Sequence, residues 1–300
     1  MKKKTYLFTL MAMALTLGSC SDNENGIGGE TSKYITVSTS IGNMTRVATD
    51  EKGGQTFEEG DEISVYAWTG DATVAPETRE RVVNNAINKL TNGSWISNPQ
   101  MLWKNNRDKH YFIGVYPISA ISDLSAGEYT FDVNKQTESD LLVAVNPDGL
   151  SYSADAQQTV PLTFTHVMAK LAVNLTYKNQ WGGIPTVEKV VVGNAAKEAT
   201  INYLTKVVTP STTAKEDFSL PEITENTKYV SVIIPQEEVT QLTIVIGGKN
   251  FVYDNGTPFK LESGKITTVN LEVGRDEIKL GDVKITNWED GSTFSGEALN

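Results

Sequence analysis

From residue 33 onward the chain alternates apolar and polar positions with a period of two, broken at short intervals by glycine, proline and Asx turns. Residues 33–41 (KYITVSTSI) put Ile35, Val37, Thr39 and Ile41 on one face and Thr36, Ser38 and Ser40 on the other. This is the pattern of a half-buried strand. Residues 62–68 (EISVYAW) are apolar on both faces, which predicts a central strand, and 111–116 (YFIGVY) predicts a buried one stopped by Pro117. A further strand is predicted over 128–133, and one over 140–145 (DLLVAV) that closes in the turn Asn146-Pro147-Asp148-Gly149. Asn92-Gly93 reads as a hairpin turn ahead of Ser94-Trp95-Ile96. The pattern continues through 187–192, 200–204, 229–234, 242–246, 251–253, 266–273 and 283–288. Between 78 and 90 it is ambiguous: Val83, Ile87 and Leu90 fall at helical spacing, and a short helix is the alternative. Many short strands with scarcely a helix predict an all-β protein of antiparallel sandwiches.

Apolar residues occupy even positions through Val160, Leu162 and Phe164, then odd positions through Val167, Ala169, Leu171, Val173 and Leu175. A strand cannot change parity without a bulge or a crossing from one sheet to another. The boundary between domains is therefore expected near residue 160. A helix over 166–175 is the competing reading, disfavoured by the β-branched residues and asparagine.

The first twenty residues have three lysines, an apolar centre over 6–17 and small residues just ahead of Cys20, the layout of a cleaved secretory signal. The apolar run is shorter than the roughly 20 residues of a membrane-spanning helix. Leu17-Gly18-Ser19-Cys20 resembles a bacterial lipobox, in which the cysteine is acylated and becomes the new N-terminus. Cys20 is the only cysteine, so it is the expected lipid anchor and no intrachain disulfide is expected. Residues 21–32, beginning SDNENGIGGE, are polar and glycine-rich and read as a flexible tether whose acidic start resembles a surface-export signal.

About 270 residues then remain, more than one core usually organises, so two domains are expected, 33–160 and 161–300. The chain has 26 basic and 37 acidic side chains; loss of the three signal lysines leaves 23 against 37, a net charge of −14. This excess of acid argues against nucleic acid or an anionic membrane surface as partner.

Several segments together resemble the fimbrillin-like proteins of Bacteroidales. They are the lipobox, Thr45-Arg46 ahead of Phe57-Glu58-Glu59-Gly60-Asp61, Asp140-Leu141-Leu142-Val143-Ala144, residues 164–171 (FTHVMAKL), Gly264-Lys265 and Ile285-Thr286-Asn287-Trp288. The resemblance implies two transthyretin-like antiparallel β-sandwich domains in tandem. It also implies an outer-membrane lipoprotein at the cell surface, without cofactor or catalysis, that assembles into or caps a type V fimbrium. Other fimbrial subunits are then the partners, together with the outer membrane through the lipid and a host or bacterial surface glycan or protein. In better-known members an arginine-specific protease cuts after the first strand, which here implies cleavage between Arg46 and Val47 and a groove open to a donor strand. Residues 277–288 (EIKLGDVKITNW), strand-like and terminal, are the candidate donor.

The residues offer little to catalysis. His110 and His166 are the only histidines and lie far apart, and no zinc motif, nucleophile elbow or phosphate loop is present. His166, at the change of parity, reads as a structural histidine bonded to backbone at a bulge. Glu58, Glu59, Asp61 and Glu62 read as a solvated turn rather than paired acids of a glycosidase. Asp148, Asp254 and Asp290 sit in turns that explain them without a metal, and none is assigned. Of the tryptophans, Trp68 and Trp288 fall in strand patterns and are expected in the core, whereas Trp95, Trp103 and Trp181 lie near turns. If two of these formed a flat platform, the alternative would be a non-polymerising, glycan-binding surface lipoprotein.

Overall fold

The computed structural model describes residues 33–42, 56–153 and 158–288. The described residues are almost entirely strand, with one four-residue helix, α1 (Gln136–Ser139), and two short 3-10 turns.

Seven strands make one sheet: β1 (Thr36–Ile41), β2 (Glu62–Thr69), β3 (Val83–Thr91), β4 (Ser94–Asn98), β5 (His110–Tyr116), β7 (Leu142–Leu150) and β8 (Thr159–His166). Their order across the sheet is β1-β8-β7-β5-β2-β3-β4. All neighbours are antiparallel except β1 and β8, which run parallel. β2 lies inside the sheet and is buried from Ile63 to Trp68, as its two apolar faces predict. The two ends of the sheet approach one another. Tyr34 bridges Leu102, the Ile35 N–H donates to the Met101 carbonyl at 3.0 Å, and Trp95 Nε1–H donates to Thr39 Oγ1 at 3.0 Å. Inside the curl lies a core of Ile35, Val37, Ile63, Val65, Phe112, Leu162 and Phe164. Gly114 is dictated by this packing, because a Cβ there would lie 2.6 Å from Phe164 Cζ.

The opposite face of the sheet, with Tyr66, Trp68, Ile113, Val115 and Val143, joins a second and larger core. The remaining strands are β6 (Gly127–Thr130), β9 (Ala169–Tyr177), β10 (Val187–Ala196), β11 (Glu198–Asn202), β12 (Val207–Pro210), β13 (Lys215–Ser219), β14 (Glu222–Thr224), β15 (Lys228–Ile233), β16 (Gln236–Ile246), β17 (Lys249–Leu261), β18 (Lys265–Val273) and β19 (Ile278–Asn287). They form a five-stranded sheet, β14-β15-β9-β18-β19, a four-stranded sheet, β13-β10-β16-β17, and a three-stranded sheet, β12-β11-β6.

The change of parity is a crossing between sheets. β8 ends the chain's passage through the seven-stranded sheet at His166; Val167 and Met168, both buried, then carry it into β9 at the centre of the five-stranded sheet. Residues 169–177 are strand, so the helical alternative over 166–175 does not hold. The sheet change falls after His166, and β6 pairs forward with β11.

Two local expectations are corrected. Residues 83–91 are strand β3, not helix. A bulge there sets Val65 against Ala86 and Ala67 against Val83, with Asn85 at φ 54°, so the buried positions are Val83, Ala86 and Asn88 while Ile87 and Leu90 are only half-buried. Asn146-Pro147-Asp148-Gly149 does not close its strand: β7 runs on to Leu150, with a register shift between His110 and Phe112 on β5 that absorbs the irregularity.

Candidate functional site

Four of the six segments behind the resemblance, 140–144, 164–171, 264–265 and 285–288, come from distant parts of the chain, and the fold brings them to one place, where β8 passes into β9. His166 is buried there, and its Nδ1 lies 2.8 Å from Asp140 Oδ1. The imidazole stacks on the Trp288 indole with centroids 4.0 Å apart and an interplanar angle of 5°. Lys170 Nζ lies 4.2 Å from the same indole centroid, a cation–π contact. Burial pushes the Lys170 ammonium below its usual range, an effect partly opposed by the charge of Asp140. Gly264 completes the arrangement. Its N–H donates to the Met168 carbonyl at 2.9 Å, its own carbonyl accepts the Trp288 N–H at 2.9 Å, and a Cβ there would lie 3.1 Å from the His166 carbonyl oxygen. At φ +67°, this position favours glycine.

His166 is therefore structural, and the carboxylate of Asp140 is a partner of its Nδ1. Asp140 and Lys170 were missed as partners, although both stand in the segments that carry the resemblance. His110 is structural too: the Lys104 N–H donates to its Nε2 at 3.0 Å, so the ring proton sits on Nδ1, 3.1 Å from the Asp108 carbonyl. Burial holds this imidazole below the usual histidine range.

The acidic turn is a scaffold. Asp61 Oδ2 accepts the Glu58 N–H at 2.7 Å, Glu59 Oε1 accepts the Asn92 N–H at 2.7 Å, and Glu62 pairs with Lys89 at 3.1 Å. Among the described residues no group of three or more His, Cys, Asp or Glu is placed to hold a metal. Trp68 and Trp288 are core residues, as expected. Trp103 is buried as well, with its ring edge-on to His110 and Phe112. Trp95 packs against the core inside the curled sheet and Trp181 against the larger core, where Trp181 Nε1–H donates to the Val273 carbonyl at 2.9 Å. These three rings therefore make no common platform for a sugar.

Two strands have the geometry of exchangeable elements. β1 is the first strand among the described residues and lies at the end of the sheet's strand order, pairing with β8 in register from Thr36↔Thr159 to Ile41↔Phe164. It contributes Val37 to the core, next to Ile35 just ahead of it, and half-buried Ile41 packs against it. β19 is the edge of the five-stranded sheet, paired antiparallel with β18, and none of its ten residues is fully buried. Cys20, Arg46, Val47 and Asp290 lie outside the described residues.

The fimbrillin-like pattern matches residues 45–288. The chain belongs to the fimbrillin-like family. As a member it is a structural protein rather than an enzyme. It is 24% identical to an inferred fimbrium subunit, Fim1C, of Bacteroides uniformis, over 97% of each chain. Its fold matches crystal structures of inferred cell adhesion proteins from Bacteroides uniformis (TM-score 0.63, 20% identity, 87% of this chain and 98% of that one) and Bacteroides ovatus (TM-score 0.61, 18% identity, 85% and 98%). A fimbrial protein from Bacteroides vulgatus matches with a TM-score of 0.52 at 12% identity, over 84% and 99% of the chains. At such identities these structures bear on the fold alone.

Proposed function

We propose that this fimbrillin-like chain is a fimbrium subunit at the bacterial cell surface. It is anchored in the outer membrane through acylated Cys20 and joins other fimbrial subunits by strand exchange after cleavage between Arg46 and Val47. In this reading the fold divides into tandem transthyretin-like halves at the crossing after His166. The observation that carries the reading is the placement of β1. It is held by one parallel ladder to β8, by Val37 and half-buried Ile41, and by the Trp95–Thr39 hydrogen bond, and Arg46 lies in the stretch that follows it. Removing β1 would bare Val160, Leu162 and Phe164 of β8, now fully buried, together with an unpaired row of backbone groups. Such an edge is stable only when another strand fills it. β19 suits the donor role, because its departure uncovers no fully buried residue of its own.

Treating the purified protein with an arginine-specific protease tests this. The product should begin at Val47 and form ladders on a denaturing gel run without boiling, and Arg46→Ala should abolish both. A clean cut that leaves a stable monomer would refute exchange. A fatty-acyl label retained by Cys20→Ala would refute the anchor.

A further inference from the structure

β19 is held along its length by the backbone ladder to β18, from Lys265↔Asn287 to Val273↔Ile278, while its side chains stay exposed or half-exposed. The next residue, Trp288, is different: it is 5% exposed. Its N–H is bonded to the Gly264 carbonyl, His166 stacks on its ring, and the Lys170 ammonium lies against the same ring. His166 is itself fixed by Asp140 at 2.8 Å, and Lys170 belongs to β9, the central strand of the five-stranded sheet. An edge strand with only Ile278 and Leu280 half-buried against the core opens easily, because most of its amides are protected by bonds that water can replace. A buried aromatic at its end changes that, since the strand cannot peel away from Trp288 without exposing a large apolar ring and two polar groups arranged around it.

We propose that Trp288 is the latch of β19: the pocket built by Asp140, His166, Lys170 and Gly264 receives it when the strand is bound to its own subunit, and must release it before the strand can leave. The proposal rests on the reading of β19 as a donated strand only for its biological use. The latch itself is a property of the single chain. It gives Trp288 a role distinct from Trp68, which lies within a central strand and holds no removable element.

Amide hydrogen exchange on the full chain separates the two levels. In Trp288→Ala, amides of Ile278–Asn287 should lose protection by roughly 100-fold, while β9 and β15 in the same sheet keep theirs. Trp288→Phe, which retains a ring for His166 to stack on, should give a smaller loss and keeps the test usable if the alanine variant fails to fold. Uniform loss across β9, β15 and β19 would make Trp288 an ordinary core residue and overturn the latch, as would unchanged exchange in β19. If β19 loosens alone but protease-treated Trp288→Ala forms no ladders faster than the parent, the latch stands and the donor reading of β19 fails.

Discussion

Gly114 and Phe164 offer a quantitative test of the curled sheet. Gly114 has a backbone that any residue can adopt, so Gly114→Ala adds one methyl group and no conformational strain. That methyl would sit 2.6 Å from Phe164 Cζ and 3.1 Å from Leu162 Cδ1, well inside contact distance. Phe164 has little room to retreat: it is fully buried and its ring meets Phe57 edge-on at 5.1 Å. Overpacking of this kind costs about 1–3 kcal/mol. Phe164→Leu, which removes the atom in the way, should cost about 1–2 kcal/mol alone through lost packing. Together the two should be less damaging than the sum of their separate costs, by about 1 kcal/mol, because the methyl occupies space that the ring vacates. Urea unfolding of parent, single and double variants measures this through shifts in midpoint at constant slope. Strict additivity would mean that the β5 backbone and the Phe164 ring do not meet as described, and the inward face of the sheet would have to be redrawn.

Truncating Trp68, 2% exposed and bonded through Nε1–H to the Asp71 carbonyl at 2.9 Å, should cost about 3–5 kcal/mol. Half-buried Trp181 should cost only about 1 kcal/mol; thermal melts in the reverse order would refute the assignment of core and margin. His110 should make stability fall as pH drops. Its folded-state pKa is depressed by burial, so below about 6.5 the unfolded chain takes up the proton first. The loss begins there and levels off below the folded value, and urea midpoints of a His110→Gln variant should lack this component; an identical pH profile would refute it.

The strands were legible wherever one face met a core and the other met solvent. Ile35 and Val37 point inward while Ser38 is exposed, as alternation requires, and the change of parity at 164–167 marked a real crossing between sheets. Alternation failed where backbone irregularity altered the count, as at the Asn85 bulge in β3 and along Asn146–Gly149 in β7. The clasp around Trp288 was only half legible. His166, Lys170 and Trp288 could be noticed as members of recurrent segments, but the contacts among them depend on parallel pairing of β9 with β18, from Ile266↔Lys170 onward. Pairing between strands so distant in sequence leaves no local periodicity to read. The tryptophans near turns show a related limit, since Trp103 lies in a loop yet is buried edge-on against His110 and Phe112 of β5.

The parallel ladder between β1 and β8 also bears on the order in which the molecule folds. Thr36 and Thr159, whose hydroxyls lie 3.2 Å apart, are separated by 123 positions, so the first strand made has no ladder partner until more than half the chain exists. Closing so long a loop is entropically costly and comes late in folding, after the hairpins β2–β3 and β3–β4 have formed from near neighbours. β1 is thus first in synthesis and late in assembly. The strand proposed to be exchanged is then also the one that the remainder of the sheet has least need of while it takes shape.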